Sequence, residues 1–273
     1  MGIFWGGDIM EELYKKEILR SKEEKRILTG RISGIEDEFY SPNKQNVACA
    51  IVWYGDVKVL IPNTLLTNKK QNKSIIRGML GSEIDFIVLE FDSTAEIAIG
   101  SRLDAMKIRT KIEIPKLKIN EAVKVRIIAV GIKSVLVDLY GIEVIIKAED
   151  LKHTFIVNCK NIYNVGDYLK VRIKEIDEEK KIFRLSAKDF EINPFKNIRK
   201  YIEINGEYTG NVIAFTKNNS GILVQLDNSM VTCLTRVPAR FNSYPHYMQK
   251  VLIKISEIDE KRKFIYSYLV RII

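Results

Sequence analysis

Two stretches of this chain, Ile173–Ser186 (IKEIDEEKKIFRLS) and Ile255–Tyr268 (ISEIDEKRKFIYSY), are one element written twice, 82 residues apart. A fainter copy runs from Gly81 to Ser101, and its Gly81, Asp92 and Ser101 stand 85 residues before Gly166, Asp177 and Ser186. Solenoid units are shorter, about 20–50 residues. The repeat is therefore one small domain carried in tandem, and the function question becomes what each copy still does.

Inside each copy the apolar period is two. In the second, Val123–Ile127, Val135–Leu139, Glu143–Ile146, Tyr168–Ile176 and Lys181–Ser186 alternate or run as short apolar strands, separated by Tyr140-Gly141, Val165-Gly166-Asp167 and a charged turn after Asp177. Five short strands with a longer link between the third and fourth fit a small closed barrel, since closure removes exposed sheet edges. The expected fold class is mainly all-β: three tandem five-stranded OB-type barrels with an N-terminal helix and short linker helices. The expected boundaries are a helical extension over 1–26, barrels over 27–112, 113–190 and 206–273, and a linker over 191–205. In the extension, Ile9, Met10, Leu13, Tyr14 and Ile18 recur at helical spacing, and this apolar face is expected to pack on the first barrel. Arg102–Arg109 reads as a short helix.

Charge separates the copies. The net charge of +9 is absent from residues 1–110 and divides as +4 over 111–190 and +5 over 191–273. A basic domain attracts polyanions. The three cysteines, Cys49, Cys159 and Cys233, are dispersed, which argues against a disulfide framework or a zinc site and for a reducing cytoplasm. No run of about 18 apolar residues occurs, so no membrane partner is expected. His153 and His246 have no ligand or nucleophile at useful spacing, and neither phosphate-binding glycine loop is present. No catalytic residue, metal or cofactor is expected.

The Val165-Gly166-Asp167 turn, Glu175-Ile176-Asp177, and the closing Arg184-Leu185-Ser186-Ala187-Lys188 together resemble the S1 RNA-binding domain family, as does Gly100-Ser101-Arg102-Leu103-Asp104-Ala105 in the first copy. The resemblance implies an OB-type barrel that binds single-stranded RNA on its early strands. The family's stacking aromatics are largely missing. Lys133, Leu136 and Lys147 occupy those positions in the second copy, and Ser220, Leu223 and Thr235 or Arg236 in the third. The family's Asp with a basic residue four positions on is kept as Asp177/Lys181 and Asp259/Lys263, while the first copy has Asp92/Glu96. Capping of a charged hairpin is the competing role for each pair.

The expected RNA-contacting set is accordingly Lys133, Lys147, Lys181 and Lys263, supported by Arg126, Arg172, Arg236, Asp177 and Asp259, with phosphate contacts dominating. Single-stranded DNA binding is one alternative. Another is a structural module of a larger assembly such as a ribosome, a polymerase, or phage or mobile-element machinery. The first barrel and its helix are expected to dock a protein partner or act as a spacer. Trp53, Tyr54 and Phe215 are expected in barrel cores, Tyr140, Phe155, Phe241, Tyr244 and Tyr247 buried in a barrel or its plug, and Phe39 and Tyr40 in an inserted loop.

Overall fold

The computed structural model describes residues 7–40, 46–67, 73–177, 182–216, 221–227, 231–239, 241 and 244–273, and their side chains except at 7–11, 37–40, 46, 73 and 74. The elements in order are α1 (Gly7–Glu24), β1 (Leu28–Tyr40), β2 (Asn46–Tyr54), β3 (Val57–Pro62), α2 (Asn63–Leu66), α3 (Lys73–Gly78), β4 (Glu83–Asp92), β5 (Ile97–Ser101) and α4 (Arg102–Glu113). They continue with β6 (Ala122–Val130), β7 (Ser134–Leu139), β8 (Ile142–Lys147), α5 (Ala148–Leu151), β9 (Tyr168–Asp177) and β10 (Ile182–Ser186). The last five strands are β11 (Glu207–Phe215), β12 (Gly221–Leu226), β13 (Thr232–Arg236), β14 (Lys250–Asp259) and β15 (Phe264–Ile272), reached through short 3-10 turns such as Pro194–Lys200. Two compact units result: Met1–Ile146 with Cys159–Ser186, and Lys147–Asn158 with Ala187–Ile273.

In the first unit β1 to β5 form a closed barrel in the order β1-β2-β3-β5-β4. A parallel β3–β5 ladder supplies the closing seam, with Val59 opposite Ala98. This is the OB order, and alternation builds it: Val59 and Ile61, Ile84 and Phe86, and Ala98 point inward and are fully buried. Gly100 is small because a Cβ there would stand 2.9 Å from Val59 and 3.1 Å from Ile61. Helix α1 meets this barrel through Ile18 and Tyr14, whereas Leu13, expected on the same apolar face, is 50% exposed, and the side chains of Ile9 and Met10 lie outside those described. Ile18 is buried in the barrel's core cluster, Tyr14 meets Tyr54 edge-on at 5.5 Å, and the Tyr54 hydroxyl donates to Glu17 Oε2 at 2.5 Å. Burial and that hydrogen bond push the Tyr54 phenol well above its ordinary pKa.

The second sheet has the order β10-β9-β6-β7-β8, the same neighbour sequence as the barrel but without a β8–β10 ladder among the described residues. Helix α4 joins it to the first barrel. Ser101 caps the helix by accepting from the Asp104 N–H at 3.2 Å. Fully buried Arg102 donates to the Leu66 carbonyl and to Glu143 Oε1 of β8, at 2.9 and 2.8 Å. Gly141, at φ +92°, passes so close to α4 that a Cβ would lie 2.5 Å from the Met106 carbonyl.

The second unit holds a closed barrel in the order β11-β12-β13-β15-β14, again sealed by a parallel pair, β13–β15. Val212, Val224, Cys233, Ile253 and Ile265 are fully buried in its core, and the 3-10 residues Phe195 and Ile198 join that cluster. Among the described residues no helix is long and apolar enough to cross a membrane.

Candidate nucleic-acid interface

The hairpin that closes each barrel starts from the same device and ends differently. In the first barrel Asp92 Oδ1 accepts from the N–H groups of Thr94 and Ala95, at 2.9 and 3.1 Å. In the third, Asp259 Oδ1 accepts from the Arg262 N–H at 2.8 Å. Both aspartates spend an oxygen on their own turn, the capping role that competes with RNA contact for Asp259. Four positions on, Glu96 and Lys263 both take a positive φ, 55° and 57°. Glu96 pairs with Lys15 of α1 at 2.5 Å, so its acidic character follows from the helix lying over that hairpin. Lys263 is exposed and donates to His153 Nδ1 at 3.4 Å. A lysine ammonium has only donors, so Nδ1 is the acceptor and Nε2–H donates to the Lys188 carbonyl at 3.0 Å. Partial burial, reinforced by the Lys263 charge and opposed by that carbonyl, holds His153 below its ordinary pKa. In the middle copy Asp177 ends β9, half-buried, and Lys181 lies outside the described residues.

Arg126 requires a correction. It is 7% exposed and forms a fork with Asp85 of the first barrel, Nη1 to Oδ1 at 2.9 Å and Nη2 to Oδ2 at 2.6 Å, while Nη2 also reaches Asp138 Oδ2 at 3.3 Å. Asp85 also takes Arg109 of α4 at 2.8 Å and the Thr29 hydroxyl at 2.8 Å. Burial opposes the guanidinium's charge, but the two carboxylates outweigh it and hold its pKa above the ordinary value. Arg126 is a buried strut between two sheets and has no surface to offer a phosphate.

Apart from half-buried Arg172, the other described cations of the predicted set are exposed. Lys133 is exposed in the β6–β7 turn, and Lys147 ends β8 with Glu149 at 3.8 Å. Arg236 is exposed at the end of β13, and Thr235, its alternative, is buried against Ser267 with their hydroxyls 2.8 Å apart. Half-buried Arg172 donates to the Asn120 carbonyl at 2.6 Å and marks a basic face missed in the sequence. On β9, Val171 and Ile173 point inward, so Lys170, Arg172 and Lys174 share the outer side. Lys124 of β6 stands opposite Lys170, and Arg184 of β10 stands opposite Glu175 on the same side. Lys124, Lys170, Lys174 and Arg184 are exposed. At one end, Lys124 Nζ lies 4.5 Å from the centre of the Tyr168 ring, whose hydroxyl donates to Glu83 at 2.6 Å. The hydrogen bond to Glu83 and burial push the Tyr168 phenol up. The signal was present in the alternating Tyr-Leu-Lys-Val-Arg-Ile-Lys of β9, once paired with Lys124.

Several aromatics also differ from expectation. Trp53 is 55% exposed on β2 and Phe215 42% exposed on β11, so neither is a core residue, and Phe155 and Tyr247 are exposed. The backbone of Phe39 and Tyr40 belongs to strand β1 and not to a loop. Burial pushes the thiols of Cys49 and Cys233 up to about 12, which leaves both protonated and inert. Among the described residues no group of three or more His, Cys, Asp or Glu could hold a metal.

No family model matches the chain. The chain is similar, weakly but consistently, to small ribosomal subunit protein bS1. The Synechococcus sp. protein is 22% identical over 193 residues, 71% of this chain and 60% of that protein. The Coxiella burnetii protein is 23% identical over 192 residues, 66% of this chain and 34% of that protein. The chain thus spans less than two thirds of the length of these relatives. Among solved structures, a multidomain protein with nucleic acid binding domains from Streptococcus pneumoniae is 14% identical, with 90% of this chain and 73% of that chain covered; its TM-score of 0.22 is too low for the likeness to bear on the fold.

Proposed function

We propose that the chain binds single-stranded RNA without catalysis, mainly through phosphate contacts on the second sheet and the third barrel. The observation that carries this reading is the outer row Lys124, Lys170, Arg172, Lys174 and Arg184, which presents cations on three adjacent strands with Glu175 and Glu121 as nearby acids. Lysines at alternate positions stand about 6.6 Å apart, a spacing suited to successive phosphates of an extended strand. The resemblance to S1 domains and the similarity to bS1 support RNA as the polyanion. Lys133, Lys147, Lys181, Arg236 and Lys263 extend the set, and single-stranded DNA is the competitor to be tested against it.

Binding of this kind has a measurable signature. Each phosphate contact on a single strand contributes about 0.7 to the slope of log K against log salt. The charge reversals Lys124→Glu and Lys170→Glu together should lower the slope by about 1.4 and weaken RNA binding at about 50 mM salt by well over tenfold. Unchanged affinity in that variant would remove the face from the proposal, and a matched DNA oligonucleotide competing as well as RNA would remove the RNA preference. A second role rests on α1 and the first barrel, where Leu13 (50%), Leu19 (42%) and Trp53 (55%) are exposed on a neutral copy. Such a surface suits a protein partner better than a phosphate chain.

A further inference from the structure

We propose that the outer face of β15 is a base-stacking platform for single-stranded RNA, formed by Phe264, Tyr266 and Tyr268. It deepens the reading above and rests on it. Ile265, Ser267 and Leu269 point into the third barrel and are buried, which turns the alternate residues Phe264, Tyr266 and Tyr268 to the outside. Phe264 is 43% exposed, and its ring lies nearly parallel to that of Tyr266, 26° apart with centres at 6.4 Å. Phe264 is exposed and Tyr266 and Tyr268 are half-buried, and a row of three aromatics on the outer side of a small barrel marks a contact surface.

The surroundings specify the partner. Arg236 of β13 is opposite Tyr268 on one side, and Lys254 of β14 is opposite it on the other. Lys263 immediately precedes Phe264 in the turn, and Arg262 stands beside it. Two acids are near. Glu257 faces Tyr266, and Asp259, opposite Phe264, is turned back to its own hairpin. Flat rings interleaved with cations match a chain of flat bases joined by phosphates. The buried Thr235–Ser267 hydrogen bond at 2.8 Å pins β13 against β15 and so fixes the rings relative to Arg236. The strand-2 and strand-3 positions of this barrel present Leu223 and Leu234 instead of rings, so the platform sits one strand over.

The test uses the full chain and two oligomers of equal phosphate number, a 12-mer of adenosine and an abasic ribose-phosphate 12-mer. Stacking predicts that the chain prefers the adenosine oligomer by at least about tenfold. The paired substitution Phe264→Leu/Tyr266→Leu should erase that preference and leave abasic affinity as it was. If the unaltered chain binds neither oligomer, the phosphate reading fails and takes this one with it. If it binds both equally, or the variant keeps the preference, the platform is overturned and the phosphate reading stands. A variant that fails to fold is bypassed by crosslinking the unaltered chain to a 4-thiouridine oligonucleotide. Adducts on residues 264–268 support the platform, and adducts confined to other strands overturn it.

Discussion

The first and third barrels share one strand order, one parallel seam and one Asp-capped hairpin, yet their outer surfaces have gone separate ways. The first is covered: Lys15 of α1 takes Glu96 at the hairpin, and Asp85 on β4 is committed to Arg126 and Arg109. The third leaves Lys263 and Phe264 on the surface. The inward residues of a barrel are held to their pattern by packing, whereas its outward residues are held only by whatever lies over them. A duplicated domain can therefore keep its fold and lose or move its site.

The largest test of that contrast is Asp85→Ala. It would leave Arg126 buried without its main partner, and breaking a buried pair in this way costs about 3–5 kcal/mol. The loss would be read as a drop in the denaturant midpoint of unfolding. The third barrel's outward Lys254→Ala, by comparison, should stay within about 0.5 kcal/mol. Next comes charge. Reversing Lys263→Glu in the third barrel should weaken RNA binding several-fold at low salt, while the opposite change in the first barrel, Glu96→Lys, should leave RNA affinity unchanged. Filter binding at about 50 mM salt compares the two directly. Glu96→Lys has its own smaller cost. It replaces a partly exposed ion pair with one like charge beside Lys15, a loss of about 1 kcal/mol or less, visible in thermal melts and reduced by added salt.

The smallest effect concerns His153. Its folded pKa lies below 6.5, so the unfolded chain takes up the proton first. The stability this contributes is full above about pH 6.5 and is lost as pH falls through the lower folded value. Burial is the leading cause and Lys263 a lesser one, so Lys263→Gln should raise the His153 pKa modestly without restoring it fully. An NMR titration of the imidazole protons reads both values, and no rise in the variant would show that Lys263 does not act on the ring.

How much of this was legible in the sequence differs by residue and for a definite reason. The alternation in β6 and β9 gives Lys124, Arg126, Lys170 and Arg172 one strand phase, yet only Arg126 and Arg172 of these were expected to meet RNA. The alternation could not say what lies over them. At the Arg126 end a second sheet brings Asp85 within 2.6 Å and buries the guanidinium, whereas Lys170 is exposed. The same gap explains Trp53 and Phe215, which fall on strand positions where core packing is the default and yet lie on the surface. The reversed charge at Glu96 was visible, but its partner Lys15 lies 81 positions away on a helix whose docking the sequence shows only as an apolar stripe.

The sequence by itself determined the repeat, the inward alternation, the turns and the position of the basic excess, because these depend on neighbours along the chain or on composition. The tertiary structure alone decided which outward residues stay outward. Arg126 became a strut, Glu96 a helix anchor and Phe264 a surface ring through contacts made across strands and between sheets. Burial is a property of the assembled surface, and residues of identical strand phase differ only in what covers them.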